Sequence, residues 1–320
     1  MTVSLIICTC TRAEKLRRLL DALFQQSPPI YELIIVVGPD SESTVQMLEQ
    51  WPHAHVRLSC PVRNISISRN IGIKAATGDI LAFIDDDAVP ANTDWLALLT
   101  ECFRKDPDSR WGAVTAPVLI RDSQKLEFSK TCCRMNDYGQ GIVDNQESEH
   151  RPLSNFTFVR VAGGNCAFRS NLLKQIGGFD ENYAYFHEET DASIRLYKMG
   201  WHTHFAKNAT IRHYSRVDDF SNPTQRRPWG TIAKSDVYFC IKNAHDPLCI
   251  RIFKTARSLH SRHYYREVVM MKVNGLINTR ECVKLKTALH AGWALGLLYG
   301  LLSSRKLLAT ERLKATLCEP

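Results

Sequence analysis

No Cys-x-x-Cys pair occurs among the chain's eleven cysteines, which argues against a structural zinc site. No Gly-x-Gly-x-x-Gly follows the first apolar run, and the segment after that run, Thr9-Cys10-Thr11-Arg12, contains no glycine at all. A dinucleotide-binding fold and a glycine-rich triphosphate loop are both disfavoured. The N-terminus, Met1-Thr2-Val3-Ser4, has no basic region ahead of an apolar one, so no signal peptide is expected. Reduced thiols in a cytoplasmic protein follow from that expectation. There is no internal repeat and no low-complexity segment. The apolar run Ala288–Leu302, at about 15 residues, falls short of the ~20 needed to span a bilayer.

What is present fits an enzyme. A chain of 320 residues with 44% hydrophobic content can hold one large domain and an appendage. The net charge is +8, and it is unevenly spread. Residues 216–320 hold 18 Lys/Arg against 8 Asp/Glu, so the whole basic excess lies in the C-terminal third. Such asymmetry suits nucleic acid, phospholipid head groups or a phosphorylated substrate, or it marks a solvated basic surface. Nucleic acid is not taken as the partner here.

The first half alternates strands and helices. Val3–Thr9 is a β-branched apolar run, and Leu16, Leu19, Leu20 and Leu23 follow helical spacing. Thr11 and Glu14 have the spacing of a capping box. A strand over Leu33–Val37 ends at Gly38-Pro39-Asp40, and a helix is expected over Ser43–Gln50. A short strand near Val56–Leu58, a helix over 66–76 and a strand over Ile80–Ile84 follow. This order predicts an α/β fold with a mostly parallel central sheet and right-handed crossovers. Residues 121–157 read as a long polar loop at one edge of the site.

The Ile80–Ile84 strand runs directly into Asp85, Asp86 and Asp87. Strand ends in open α/β sheets are where ligands bind. Three adjacent carboxylates need donors or a divalent cation to be stable there, unless they form a solvated turn. Arg69, just ahead of that strand, offers a two-pronged donor for a carboxylate or phosphate, or else it is an ordinary surface arginine. Gly163-Gly164-Asn165 either presents backbone donors to a sugar or acceptor, or is a bulge at a strand start. His187-Glu188-Glu189-Thr190-Asp191 opens a helix ended by Lys198 and Gly200. Acids in a first turn favour the helix dipole, but three within four residues exceed that need. A carboxylate there is available as a general base.

In this order, these motifs resemble the inverting family 2 glycosyltransferases of GT-A type. The resemblance covers roughly residues 1–215 and rests on the Val-Ser-Leu-Ile-Ile-Cys-Thr-Cys-Thr-Arg opening, Arg69-Asn70-x-Gly72, the Asp triplet, Gly-Gly-Asn with Gly-Gly-Phe-Asp, and Glu-Glu-Thr-Asp. It implies a nucleotide-sugar donor, a divalent cation (Mn2+ or Mg2+) and inversion at the anomeric carbon. By the same resemblance, Thr9 and Arg12 lie near the nucleobase, Asp85 faces ribose or metal, and Asp86 lies on the donor side. Asp87 and His213 ligate the metal, and Glu188 lies toward the acceptor with Gly163, Gly164 and Asn165. Glu189 stands where the family usually has an Asp base, with Asp191 as its competitor. Asp40 replaces, from a shifted position, an acid that many members carry after the second strand.

Residues 216–320 read as a basic, mainly helical extension to the GT-A domain. Gly292, Gly296 and Gly300 recur every four residues, a face for close packing on another helix, including that of a second copy in a homodimer. Basic residues flank this run, so an interfacial helix at the inner membrane face and a buried packing helix both remain open. Arg226 and Arg227 are alternative cations for a donor diphosphate. The expected function is transfer of a sugar to a glycan or lipid-linked acceptor in cell-surface polysaccharide synthesis. The other readings are a nucleotidyltransferase making an activated sugar and a non-catalytic sugar-binding relative.

Overall fold

The computed structural model describes residues 1–105, 110–129, 133–142, 157–214, 228–261, 263–305, 307 and 316–318. The chain opens with β1 (Val3–Thr9), α1 (Ala13–Phe24), β2 (Glu32–Val37), α2 (Glu42–Glu49), β3 (His55–Ser59), α3 (Ile65–Ala75) and β4 (Ile80–Ile84). β1, β2, β3 and β4 pair in parallel, as the alternation of strands and helices requires. Strands covered on both faces read as continuous apolar runs, and all five residues of β4 are buried. The pleat sends Leu5 and Ile7 into one core layer and Ile6 into the other. Leu16, Leu19, Leu20 and Leu23 of α1 cover the first layer.

After β4 come β5 (Ala88–Pro90), α4 (Trp95–Lys105), β6 (Trp111–Thr115), β7 (Val118–Ile120) and β8 (Leu126–Phe128). β9 (Arg134–Asn136), β10 (Thr157–Val159), β11 (Asn165–Arg169), α5 (Ser170–Gln175), α6 (Glu188–Lys198), β12 (His202–Phe205) and β13 (Ile211–His213) follow. With β14 (Thr316–Cys318) at one edge, the main sheet has the order β12-β6-β11-β4-β1-β2-β3-β14. β11 runs antiparallel between β4 and β6. A four-stranded second sheet, β5-β13-β7-β8, places His213 opposite Ala88, directly after the acidic turn. The stretch read as a long loop thus contributes β8 and β9; residues 130–132 and 143–156 lie outside the described residues.

Thr11 does not cap α1. Arg12 occupies the cap position without a side-chain bond, and Thr11 adopts φ 57°. Its amide donates to Ser41 Oγ (2.9 Å), so the turn after β1 is fastened to the start of α2 rather than to its own helix. α3 is capped by Asn64, whose side chain accepts from the Ile67 amide (3.1 Å).

Four described helices follow β13: α7 (Trp229–Asn243), α8 (Leu248–Ser261), α9 (His263–Val273) and α10 (Thr279–Leu302). A Cβ on Gly296 would stand 2.6 Å from the Lys234 carbonyl oxygen, and one on Gly300 2.6 Å from Ile241 Cγ2. A Cβ on Gly292 would collide with the Gly230 carbonyl oxygen. The glycine stripe is therefore the seam that lets α10 lie against α7, and it is used within the chain rather than for pairing with a second copy. No described helix is long and apolar enough to cross a membrane. Arg226 and Arg227 lie outside the described residues.

Candidate active site

The three aspartates after β4 differ in their partners, with Arg12 shared by Asp86 and Asp87. Asp86 accepts from Thr9 Oγ1 (2.7 Å) and Arg12 Nη1 (2.8 Å). Asp87 Oδ2 accepts from Arg12 Nη1 (3.1 Å) and Lys15 Nζ (3.2 Å). Asp87 Oδ1 lies 3.0 Å from His213 Nε2, and the other ring nitrogen lies 2.8 Å from Glu127 Oε2. Asp85 is more open, with its carboxylate 3.8 Å from Arg69 Nη2. Asp85, Asp87 and His213 each offer a ligand atom, and those atoms all lie within 4.8 Å of one another.

Electrostatics follows this packing. Burial alone would raise the Asp87 carboxyl, but His213, Arg12 and Lys15 outweigh it and hold it well below the usual carboxylate range. Burial works against a charged His213 ring, yet the bonds to Asp87 and Glu127 push it up to about 10. Three cationic groups thus gather on Asp87, two from the start of α1 and one from β13. Two carboxylates and an imidazole form a donor set that suits a divalent first-row ion. Glu127 stands behind the imidazole, where metal-binding histidines commonly have a carboxylate.

Arg69 links the acidic turn to the start of α6. It donates from Nη1 to Glu188 Oε1 (2.8 Å) and from Nη2 to the Gly163 carbonyl (3.2 Å). The glycine pair is small because these groups crowd it. A Cβ on Gly163 would lie 2.8 Å from Arg69 Nη2, and one on Gly164 would collide with the Asp85 carboxylate. Glu188 is buried, and its carboxyl is raised by that burial and by neighbouring Glu189. Glu188 Oε2 is buried without a hydrogen-bond partner among the described residues. Glu189 has Arg160 Nη1 at 3.7 Å. Phe186 and His187, immediately before the pair, both adopt left-handed backbone (φ 73° and 70°), costly for non-glycine residues. His187 Nε2 bonds Asp236 Oδ1 of α7 (2.7 Å), and its ring stacks on Phe239 (4.9 Å).

Two residues expected at the site are enclosed within the protein. Asn165 is fully buried; its amide donates to the Pro117 and Ala209 carbonyls (2.8 and 2.9 Å) and accepts from Trp95 Nε1 (3.0 Å). With both side-chain ends engaged inside the protein, it has nothing to offer an acceptor. Asp191 is fully buried as well, bonded to Arg195 (2.7 Å), Asn243 (3.1 Å) and Arg305 (3.2 Å). A carboxylate so enclosed is an anchor, with no oxygen open to an acceptor hydroxyl. Asp40, expected on the donor side, is exposed on the turn after β2 and pairs with Arg63 (3.2 Å). Lys15, Glu127 and Arg160 join the site without having been singled out in the sequence.

A largely parallel sheet with carboxylates at the C-terminal end of a central strand is the build of a nucleotide-binding α/β enzyme. A family description, "Glycosyltransferase like family 2", matches residues 2–231. The chain belongs to that family. Among curated proteins it is 28% identical over 227 residues to the glucosyl-dolichyl phosphate glucuronosyltransferase of Haloferax volcanii, covering 67% of this chain and 69% of that protein. It is 25% identical over 240 residues to the chondroitin synthase of Escherichia coli (66% of this chain, 34% of that protein). With the pre-mycofactocin glycosyltransferase of Mycobacterium tuberculosis it shares 26% over 240 residues (74% and 46%). The chain thus spans about two thirds of the first relative and a third to a half of the other two. Among solved structures, the fold matches a mannosyltransferase of Pyrobaculum calidifontis in complex with GDP-Man and Mn2+ (TM-score 0.56, 16% identity, 94% of this chain and 87% of that one). It also matches GalNAc-T7 with UDP, GalNAc and Mn2+ (TM-score 0.60, 14% identity, 96% and 58%). The fold is therefore GT-A, as the opening motifs imply.

Proposed function

We propose that this glycosyltransferase moves a sugar, with inversion, from a nucleotide-sugar donor to a hydroxyl of a glycan or lipid-linked acceptor in polysaccharide or glycolipid synthesis. The observation that carries the reading is the Asp85–Asp87–His213 cluster beside the Glu188–Glu189 pair. Asp85, Asp87 and His213 would hold a divalent cation, Mn2+ or Mg2+. Such a cation supplies positive charge to the leaving nucleoside diphosphate. Two of the structural relatives were solved with Mn2+. Their nucleotides were GDP-Man in one and UDP in the other.

Arg12 and Lys15, which neutralise Asp86 and Asp87 here, are placed to turn toward the diphosphate when donor arrives. Thr9 holds Asp86, which is read as facing the nucleoside. Glu189 removes the proton from the acceptor hydroxyl. Arg69 holds Glu188 beside it and keeps the pair next to Asp85. Inversion needs one base and no covalent intermediate, so no Ser or Cys nucleophile is required. The relative named for glucosyl-dolichyl phosphate supports a lipid-linked acceptor, and chondroitin synthase supports a glycan. The basic C-terminal third is read as bringing the enzyme to the cytoplasmic face of an anionic membrane.

Glu189→Gln should retain donor binding and lose transfer by ~10²–10⁴-fold, while Asp87→Asn should lose cation-dependent donor binding in calorimetry. Transfer by Glu189→Gln at the wild-type rate rejects the assignment of the base. Release of pyrophosphate from a nucleoside triphosphate and free sugar phosphate, without transfer, would instead identify a nucleotidyltransferase.

A further inference from the structure

α10 has two apolar faces, and the fold covers one. Cys282, Leu285, Leu289 and the three glycines are buried. On the opposite side of the helix Val283, Leu295, Leu298, Leu301 and Leu302 are between 46% and 77% exposed. No Asp, Glu, Lys or Arg occurs between Lys286 and Arg305. The first turns of the same outer arc carry Arg280 and Lys284. The helix's one acid, Glu281, is tied back in a capping box with Asn278. Where α10 meets α9, a cavity of about 390 Å³ is lined by Val269, Val273, Cys282 and Val283, with Lys272 and Lys286 among its walls. Met270, Val273 and Leu276 are each more than half exposed around this turn.

A soluble surface rarely leaves such a set of aliphatic side chains in water without a partner. Here the aliphatic residues are bordered by lysine and arginine, and the only acid of the helix is engaged. Leucines facing outward suit hydrocarbon, and ammonium and guanidinium groups beside them suit phosphate. At 24 residues the helix is ~36 Å long, but its uncharged part is too short to cross a ~30 Å core. It can lie in the plane of the surface. We propose that the outer face of α10, with the α9–α10 turn, docks flat on an anionic phospholipid bilayer. This deepens the membrane part of the function proposed above and does not depend on the cation site.

The test is sedimentation of the full chain with vesicles of phosphatidylcholine alone or mixed with phosphatidylglycerol, at low and high salt. Wild-type protein should pellet with the mixed vesicles, and salt should weaken the binding. L298E with L301E should weaken it at least about tenfold, leaving circular dichroism and donor hydrolysis unchanged. R280Q with K284Q should remove the salt-sensitive part. The proposal is overturned if wild-type protein ignores anionic vesicles at low salt, or if L298E/L301E binds them equally well. It is also overturned if wild-type protein is a dimer in sedimentation velocity that L298E/L301E splits, since a second copy then covers the face. Lost vesicle binding with intact donor hydrolysis rejects the docking face alone. Absent hydrolysis with intact vesicle binding rejects the transferase reading alone.

Discussion

His213 is held between two carboxylates, Asp87 on one ring nitrogen and Glu127 on the other. If the ring serves as a ligand, Glu127 fixes its orientation, and Glu127→Ala should weaken Mn2+ binding by ~10–100-fold. Titrating Mn2+ into donor-free protein by calorimetry or spin resonance checks this; unchanged affinity would separate Glu127 from the cation. Gly164 tests crowding at the other edge. Gly164→Ala must push against Asp85, at a cost of about 1–3 kcal/mol, read as a lower midpoint in thermal unfolding. At this scale the sequence was legible where charge was anomalous: three aspartates after an apolar strand, two glutamates opening a helix. It misled at Asn165, because a polar residue after two glycines looks the same whether it meets a ligand or, as here, ties three buried segments together. Lys15 gave no signal, since helical spacing reads it as a solvated lysine.

Elements were legible wherever hydrophobic period and length agreed, as in β1, β4 and α1. The second sheet was not. β5, β7, β8 and β13 have three residues each, too short for a period to register, and they find each other only through pairing across the chain. That sheet sets His213 beside the acidic turn, so the metal-side arrangement was visible as residue types but not as geometry. The glycine repeat of α10 was legible as a packing face, though not which helix would fill it. Gly296→Leu should force α10 off α7, costing at least about 1–3 kcal/mol. Chemical denaturation measures the loss, and a wild-type midpoint for this variant would contradict the seam.

Across the whole molecule, the C-terminal segment holds α6 and the loop before it at several points. Asp236 bonds His187, Asn243 and Arg305 bond Asp191, and Tyr238 bonds Asp180 (2.7 Å). Asp191 gives this a pH signature. Burial alone would raise its carboxyl, but Arg195, Arg305 and Asn243 hold it below the ordinary value. A depressed carboxylate contributes stability above its unfolded pKa, about 3.9, and that stability is lost as pH falls through the folded value. Arg305→Met should cost about 1.5–3 kcal/mol near neutral pH and flatten the acid limb of a stability-versus-pH curve. An unchanged limb would assign it to other groups.

These ties also set an order in time. A ribosome that has made the first 214 residues has delivered Arg12, Lys15, Arg69, Asp85, Asp87, Glu189 and His213. It has not delivered Asp236, Asn243 or Arg305, which hold α6. A nascent chain at that stage carries the chemistry without the clamp, so competence for transfer should arrive only after translation passes Arg305.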